Sequence, residues 1–162
     1  MEIIYKIEQP ENFSESDKDK FLELLKQQGK VNNPTLDRIN NCKFLCLCII
    51  DDKIISIGAI KPKTDSDFDS NKANLNDLRN DFDFELGYCF TLPKFTGRGH
   101  SSTIVKLLID KLPDKNLMAS TELRADNSMP RILEKNGFKQ FGKPWKSTIH
   151  GGALGLFLKF VK

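Results

Sequence analysis

One stretch in the middle of the chain, KFTGRGHSST (94–103), combines two glycines, an arginine and two serines. An apolar run that predicts a strand precedes it, and a run that predicts a helix follows. Glycine lets the backbone approach a ligand closely, and the first N–H groups of a helix favour an anion. Arg98 adds a positive charge, and Ser101 and Ser102 add hydroxyl donors. The stretch predicts a site for a phosphate-bearing ligand, with a plain tight turn before a well-capped helix as the alternative.

Two familiar phosphate-binding loops have different patterns. The nucleotide P-loop requires GxxxxGK[ST], which the sequence lacks. The dinucleotide-binding loop requires GxGxxG in the first strand–turn–helix unit. Here Ser102 stands in place of the third glycine, and the stretch follows a predicted antiparallel hairpin. Dinucleotide binding is therefore kept only as an alternative.

Hydrophobic periodicity and turn residues predict the elements that position this stretch. Ser14 or Ser16 caps the predicted first helix and Gly29 ends it, whereas Asp51–Asp52 forms the turn of a hairpin. The predicted strands are 2–8, the hairpin 43–61, 84–93, 117–124, FKQFGKPW and ALGLFLKFV, and the predicted helices are 12–29, 98–112 and 125–137. This order, β-α-β-β-β-α-β-α-β-β, predicts an α/β domain with a mixed sheet of about seven strands.

Two connecting segments stand out by their composition. The segment VNNPTLDRINN is polar and predicts a loop or a short helix. The segment 62–83 carries six aspartates against one arginine and two lysines. It predicts a long surface loop, or a loop with a short helix around Leu75–Leu78. Such an insertion is either functional or a solvated surface excursion.

Composition excludes several classes of protein. The net charge of +3 over 162 residues, with scattered lysines, does not indicate nucleic-acid binding. The N-terminus lacks a signal-peptide pattern, and no apolar run approaches the roughly 20 residues of a membrane span. Four cysteines (42, 46, 48 and 89) without a CxxC pair predict reduced, packed thiols, a cytoplasmic location and no metal site.

The stretch ELGYCFTLPKFTGRGHSS resembles the strand–loop–helix motif [QR]xxGx[GA] of the GCN5-related N-acetyltransferases (GNATs). Thr96, Gly99 and Ser101 occupy the three pattern positions, and Gly99 alone matches strictly. Thr96 replaces Gln or Arg, and Ser101 replaces Gly or Ala. The frame Gly97-Arg98-Gly99 and the lead-in Leu92-Pro93 match the common form of the motif.

A second stretch, ADNSMPRILEKNGFKQFG, is similar to the short helix of that family that ends in EKxGF. The matching residues are Glu134, Lys135, Gly137 and Phe138. The motif resemblance covers roughly residues 84–142, and the order of elements extends it to the whole chain. It implies a single GNAT-type domain over residues 1–162, with the sheet split between the fourth and fifth strands.

The resemblance implies that acetyl-CoA binds in the V-shaped opening between those strands. The backbone of Cys89, Phe90 and Thr91 would bond the acetyl carbonyl and the pantetheine amides, and Asp126 or Asn127 would flank the pantetheine arm. His100 would assist phosphate binding if protonated. The alternative is that His100 is a partly exposed residue in the first turn of the helix. The full set of implied cofactor-binding residues is Cys89, Phe90, Thr91, Thr96, Gly97, Arg98, Gly99, His100, Ser101, Ser102, Asp126, Asn127 and Leu133.

Acetyl transfer to an amine requires a base and a donor for the developing oxyanion. The resemblance implies Glu85 as the base through a water and the backbone N–H of Cys89 as the oxyanion donor. The alternative is that Glu85 is an exposed or salt-bridged strand residue without a catalytic role. Leu133 stands where many members carry a general-acid tyrosine, so the thiolate would leave unaided, or with help from the remaining candidates Tyr88, Ser128 and Thr121.

These residues predict an acetyl-CoA-dependent N-acetyltransferase acting on a primary amine of a small molecule, peptide or protein. A catalytically weak or inactive CoA-binding sensor is the alternative. The candidates for contact with the acceptor are Trp145, Ser147 and His150. The alternative for Trp145 is that it anchors the hydrophobic core. If segment 62–83 lines the site, its aspartates would suit a cationic acceptor. We expect no nucleic-acid or membrane partner, and a homodimer is one option for assembly.

Overall fold

The computed structural model describes residues 1–161 of the chain. Seven strands form one mixed sheet in the order β1-β2-β3-β4-β5-β7-β6, which confirms the predicted α/β fold with about seven strands flanked by helices. The strands are β1 (Ile3–Glu8), β2 (Phe44–Ile50), β3 (Lys53–Pro62), β4 (Phe84–Thr91), β5 (Leu117–Glu122), β6 (Lys139–Lys146) and β7 (Ala153–Lys159). The helices are α1 (Glu15–Gln28), α2 (Leu36–Asn40), α3 (His100–Asp110) and α4 (Met129–Lys135).

The chain divides into two compact units. Unit 1 comprises residues 1–61 and 86–112, and unit 2 comprises residues 62–85 and the chain from 113 onward. The prediction of a single domain over the full chain stays a prediction. No helix within residues 1–161 has the length and apolar character that crossing a membrane requires.

Unit 1 is built on the antiparallel strands β1, β2 and β3. Ile50 pairs with Lys53 across a two-residue turn, and both turn residues have positive φ, 49° at Asp51 and 66° at Asp52. This is the type I′ geometry that suits the twist of a hairpin, and aspartate tolerates it better than most residues. The predicted hairpin with its turn at Asp51–Asp52 is confirmed.

Helix α1 packs its apolar face into the core of unit 1. The Oγ of Ser14 accepts a hydrogen bond from the N–H of Asp17 at 3.0 Å, and Gly29 ends the helix with a φ of 73°. The predicted cap and stop are therefore confirmed for Ser14 and Gly29, while Ser16 lies inside the helix. The buried members of this core are Phe13, Phe21, Leu24, Leu25, Ile39, Cys42, Leu45, Leu47, Ile57 and Ala59.

Helix α3 is shorter than the predicted span 98–112. It begins at His100 because Gly97 and Gly99 adopt left-handed φ values of 76° and 84°, which no helical residue has. Its buried side chains are Ile104, Val105, Leu108 and Ile109, close to the predicted apolar faces. Helix α3 therefore begins directly after Gly99.

Unit 2 contains the antiparallel strands β5, β7 and β6 together with α4. Ser128 precedes the first helical residue of α4, which is shorter than the predicted span 125–137. The parallel pairing of β4 with β5 joins Phe84 to Leu117 and Glu85 to Met118. The predicted split between the fourth and fifth strands is confirmed at this parallel pair.

Segment 62–83 is part of the core of unit 2. It folds into two short 3-10 helices, Asp65–Phe68 and Asn76–Asp81, with the second close to the predicted helical turn. Phe68 and Phe82 are each 0% exposed, so the interpretation as a purely solvated excursion is wrong. Aromatic burial of this size contributes much of a small core's stability. The cluster also includes Ala73, Met118, Trp145, Leu156 and Leu158.

Candidate functional site

The stretch 94–103, called the glycine loop below, has open space around its two glycines. A Cβ placed on Gly97 or Gly99 would meet no other atom within 4 Å, so only the left-handed φ demands glycine there. Gly99 is the N-cap of α3 and has no side chain that could satisfy the first N–H groups of the helix. The geometry therefore fits an anion at the start of α3, as the sequence predicts.

Arg98 and Thr96 flank these glycines. The guanidinium carbon of Arg98 lies 5.4 Å from the centroid of the Phe95 ring, a cation–π contact that leaves the side chain exposed. The Oγ1 of Thr96 donates to the carbonyl of Pro93 at 3.0 Å and closes the turn that leads into the loop. Arg98 thus places a positive charge beside the first N–H groups of α3.

Ser101 does not serve as the hydroxyl donor that the sequence predicts. Ser56 donates to the carbonyl of Phe90 at 3.1 Å, so in the 2.6 Å contact between Ser56 and Thr91 the threonine must donate. In the 2.9 Å contact between Thr91 and Ser101 the serine must then donate. The Ser101 hydroxyl proton is therefore used within unit 1, and only its backbone N–H remains for an anion.

His100 is buried, which corrects the expectation of a partly exposed residue. Its side chain is 6% exposed, and its Nδ1 lies 2.8 Å from the hydroxyl of Tyr5 and 3.6 Å from the Sγ of Cys48. Burial raises the pKa of the Tyr5 hydroxyl and of the Cys48 thiol. The Nδ1 of His100 is therefore engaged within unit 1, where the ring anchors α3 to β1, and help to a phosphate from this side chain stays a prediction.

Strand β4 carries a backbone irregularity at Tyr88. Its φ is 57°, an uncommon value for an aromatic residue that is a frequent mark of functional sites. The next residue, Cys89, accepts a hydrogen bond at its carbonyl from the Nε2 of Gln28 at 2.8 Å. This contact joins residues 61 positions apart, and no sequence pattern indicates it. The roles predicted for the backbone of Cys89, Phe90 and Thr91 stay predictions.

The cysteines are packed thiols, as the sequence predicts. Cys42, Cys46 and Cys48 are each 6% exposed or less, and burial raises the pKa of Cys42, Cys46 and Cys89 to about 12. A thiol with such a pKa is protonated at neutral pH and is a poor nucleophile. Within residues 1–161, no group of three or more His, Cys, Asp or Glu side chains is placed to hold a metal ion.

Glu85 is the second residue of β4 and is buried, at 7% exposure, rather than exposed. Its Oε1 accepts a hydrogen bond from the backbone N–H of Thr64 at 2.8 Å. The proposed role as base is compatible with this environment and stays a prediction.

A second buried carboxylate, Glu122, was missed from the sequence. It ends β5 at 5% exposure, and its oxygens lie 3.0 Å from the Nε of Arg124 and 3.4 Å from the Nε2 of His150. The Nδ1 of His150 accepts from the N–H of Gly152 at 3.1 Å, so Nε2 carries the ring proton and faces Glu122. A carboxylate two residues before an arginine at a strand end was the available signal.

The acceptor-side candidates differ in their surroundings. Trp145 is 9% exposed and belongs to the core of unit 2, so the core-anchor interpretation is confirmed. Ser147 accepts from the N–H groups of Ile149 and His150, at 3.1 and 3.3 Å, and shapes the turn before β7. Contact of Ser147 or His150 with an acceptor stays a prediction.

Asn127 uses all of its side-chain groups to anchor the start of α4. Its Nδ2 donates to the carbonyl of Glu122 at 2.7 Å and to Thr121 at 3.0 Å, and its Oδ1 accepts from Met129 at 3.2 Å. Asp126 is exposed beside Arg124, at 3.4 Å. Leu133 is 1% exposed, so its side chain lies in the protein interior, and its contact with a cofactor stays a prediction.

Three of the six aspartates of segment 62–83, Asp65, Asp67 and Asp69, form ion pairs within the segment. Arg79 contacts Asp65 at 2.8 Å and Asp69 at 2.5 Å, and Lys63 contacts Asp65 at 3.0 Å. Lys72 lies 3.8 Å from Asp67. These pairs weaken the argument that the aspartates recognise a cationic acceptor.

No protein-family model matches the chain, and no curated protein matches it in sequence. Solved structures nevertheless match over nearly the whole length. An acyl-CoA N-acyltransferase from Pseudomonas aeruginosa gives a TM-score of 0.69 at 8% identity, covering 98% of this chain and 99% of that one. A GNAT-family acetyltransferase from Streptococcus pneumoniae gives 0.68 at 13% identity, covering 99% and 100%.

The NatC complex bound to Gag peptide and CoA gives a TM-score of 0.69 at 15% identity, with 100% of both chains covered. Identities this low carry information about fold and not about substrate. The chain therefore has the GNAT fold, the fold shared by these acyltransferases.

Proposed function

We propose that the protein is an N-acetyltransferase that uses acetyl-CoA and acetylates a primary amine of a small molecule or peptide. The observation that carries the proposal is the glycine loop. Gly97 and Gly99 keep the space before α3 open, on a fold whose solved examples include a CoA-bound complex. A cytoplasmic location and a homodimer are further predictions, the first based on the packed thiols.

The chain's own groups suit the pyrophosphate of CoA. The N–H groups from Arg98 through Ser102 would bind its oxygens, and the Arg98 guanidinium would offset its charge. Ser101 would contribute through its backbone alone, since its hydroxyl donates to Thr91. The motif position that usually carries Gly or Ala therefore tolerates serine here.

Acetyl transfer then follows from the proposed roles. The amine nitrogen attacks the thioester carbon, a C–N bond forms, and the Cys89 N–H stabilises the charge that develops on the carbonyl oxygen. Glu85 accepts the amine proton through a water. The C–S bond breaks as the intermediate collapses, and CoA leaves as a thiolate that takes a proton from solvent. Thiols with a pKa near 8.5 are adequate leaving groups, so Leu133 in place of a tyrosine is tolerated.

A panel of primary amines with acetyl-CoA, followed by the release of free thiol, tests the proposal. We expect turnover with at least one amine and CoA binding by calorimetry. A protein that does not bind CoA at millimolar concentration would overturn it.

The alternative, a CoA-binding sensor, is favoured by one observation: Leu133 is buried and offers no proton where a general acid would stand. CoA binding without thiol release across the panel would support it. In an active enzyme, Glu85→Gln should lower kcat and leave CoA affinity unchanged.

A further inference from the structure

Gln28 makes an unusual contact at the end of α1. Its Nε2 donates to the carbonyl of Cys89 at 2.8 Å, whereas its Oε1 is buried and has no partner among residues 1–161. Only the NH₂ end of the amide can donate to a carbonyl, so the orientation of the side chain is fixed by this bond. The contact lies entirely within unit 1.

Stability does not account for this arrangement. A neutral hydrogen bond contributes little net free energy, and a buried acceptor left without a donor costs at least as much. An unsatisfied buried group in a folded protein therefore calls for another explanation, and functional sites are where such violations concentrate. The bond between Gln28 and Cys89 is consequently retained for what it does to the backbone of β4.

That backbone is the part of β4 with unusual geometry. Tyr88 has a φ of 57°, so the chain direction at residue 89 departs from that of a regular strand. Because the peptide unit is planar, fixing the Cys89 carbonyl also fixes the Phe90 N–H in the opposite direction. Gln28 therefore sets the orientation of the peptide between Cys89 and Phe90.

We propose that Gln28 is a positioning residue for acetyl transfer, holding the backbone of Cys89 and Phe90 in the orientation that the acetyl thioester requires. This inference rests on the proposed function, in which those two residues contact the acetyl group and the pantetheine arm. Gln28 acts through the backbone, without touching the reacting atoms.

Gln28→Met tests the inference, with Gln27→Met as the matched control on an exposed neighbour of the same helix. We expect Gln28→Met to lower kcat roughly 10- to 100-fold, the cost of a small misplacement of catalytic groups. CoA affinity should stay unchanged because the glycine loop is untouched. The melting temperature should stay close to that of the wild type, since the variant removes both the bond and the unsatisfied acceptor. Gln28→Glu, which keeps the shape but loses the donor, should lower kcat as Gln28→Met does, and it should also lower the melting temperature because a carboxylate then faces the Cys89 carbonyl.

Unchanged kcat in Gln28→Met would overturn the inference, and so would an equal loss of kcat and CoA affinity. A second measurement does not depend on activity: the NMR signals of the Cys89 carbonyl and the Phe90 amide without ligand. Both should move, and amide exchange at residues 88–91 should accelerate, in Gln28→Met but not in Gln27→Met. If the wild type acetylates no amine, the proposed function fails, while unmoved signals at residues 89 and 90 would refute the role of Gln28 by themselves.

Discussion

The glycine loop (94–103) and the aspartate-rich segment (62–83) are both polar connections that the sequence marks as functional candidates, yet they differ in how their polar groups are used. Open space surrounds Gly97 and Gly99, and the first N–H groups of α3 receive no side-chain cap. In segment 62–83, Arg79 and the lysines pair with three of the six aspartates, and Phe68 and Phe82 are buried. A charged composition thus indicates a site only where its groups are not already satisfied within the fold.

The largest effect on stability should come from the buried residues of segment 62–83. Phe82→Ala should cost about 3–5 kcal/mol of unfolding free energy, because it removes a fully buried aromatic ring. Urea unfolding measures this loss, with Asn80→Ala as the control at an exposed position in the 3-10 helix that directly precedes Phe82. A loss no larger than that of the control would show that the segment is a surface excursion after all.

The glycine loop should respond in binding as well as in stability. Gly99→Ala forces a Cβ into a left-handed conformation at a cost of about 1–2 kcal/mol. As the backbone relaxes, the loss of one charge-assisted hydrogen bond should weaken CoA binding about tenfold.

Gly151→Ala is the control for this strain, since Gly151 has a φ of 74° and equally open surroundings in unit 2. Calorimetry with CoA should separate the two variants, whereas thermal melting should not. Equal CoA affinities in both variants would contradict the anion-binding role of the loop.

A smaller effect is expected at Ser101, because its hydroxyl proton is donated to Thr91. Ser101→Ala should change CoA affinity by less than about threefold, since the backbone N–H remains. The melting temperature should fall modestly, because the variant breaks the chain of hydroxyl hydrogen bonds from Ser101 through Thr91 to Ser56. A loss of CoA affinity as large as that of Gly99→Ala would mean that the hydroxyl reaches the ligand.

The smallest effect concerns the internal pairing of segment 62–83. The Lys63 ammonium, followed by the Arg79 guanidinium, holds the pKa of Asp65 below its usual value. A carboxyl whose pKa is lowered by folding contributes stability above its unfolded pKa, and this contribution is lost as pH falls through the folded pKa. Because Asp65 is exposed, the contribution is small and weakened by salt.

Arg79→Met should therefore reduce the loss of stability between neutral pH and pH 3. Urea midpoints across this interval, at low salt and at 1 M salt, measure the difference from the wild type, which high salt should abolish. An identical pH dependence in both proteins would show that the pair contributes nothing.

Local patterns were sufficient for the features that depend on neighbouring residues. The cap at Ser14, the stop at Gly29 and the turn at Asp51–Asp52 depend on the backbone preferences of a few adjacent residues, and all three were predictable. The glycines before α3 belong to the same class. The predicted spans of α3 and α4 were longer than the observed helices. The reason is that the periodic pattern of the sequence continues through residues whose backbone is not helical.

Contacts between distant residues were not predictable in the same way. The burial of His100 depends on Tyr5, the direction of the Ser101 hydroxyl depends on Ser56, and the role of Gln28 depends on Cys89. The contacts behind them, Tyr5–His100, Ser56–Thr91 and Gln28–Cys89, join residues 95, 35 and 61 positions apart. A single sequence carries no signal for such pairs, since any of many polar side chains has the chemistry to form them.

The sequence by itself determined the order of strands and helices and the position of the glycine turn before α3, because backbone preference and hydrophobic periodicity act over a few residues. Only the tertiary structure decided which polar groups remain available for a ligand. That availability depends on which donors and acceptors distant segments have already used. Three of the six aspartates of segment 62–83 are paired, Ser101 and His100 are engaged, and the backbone before α3 is open.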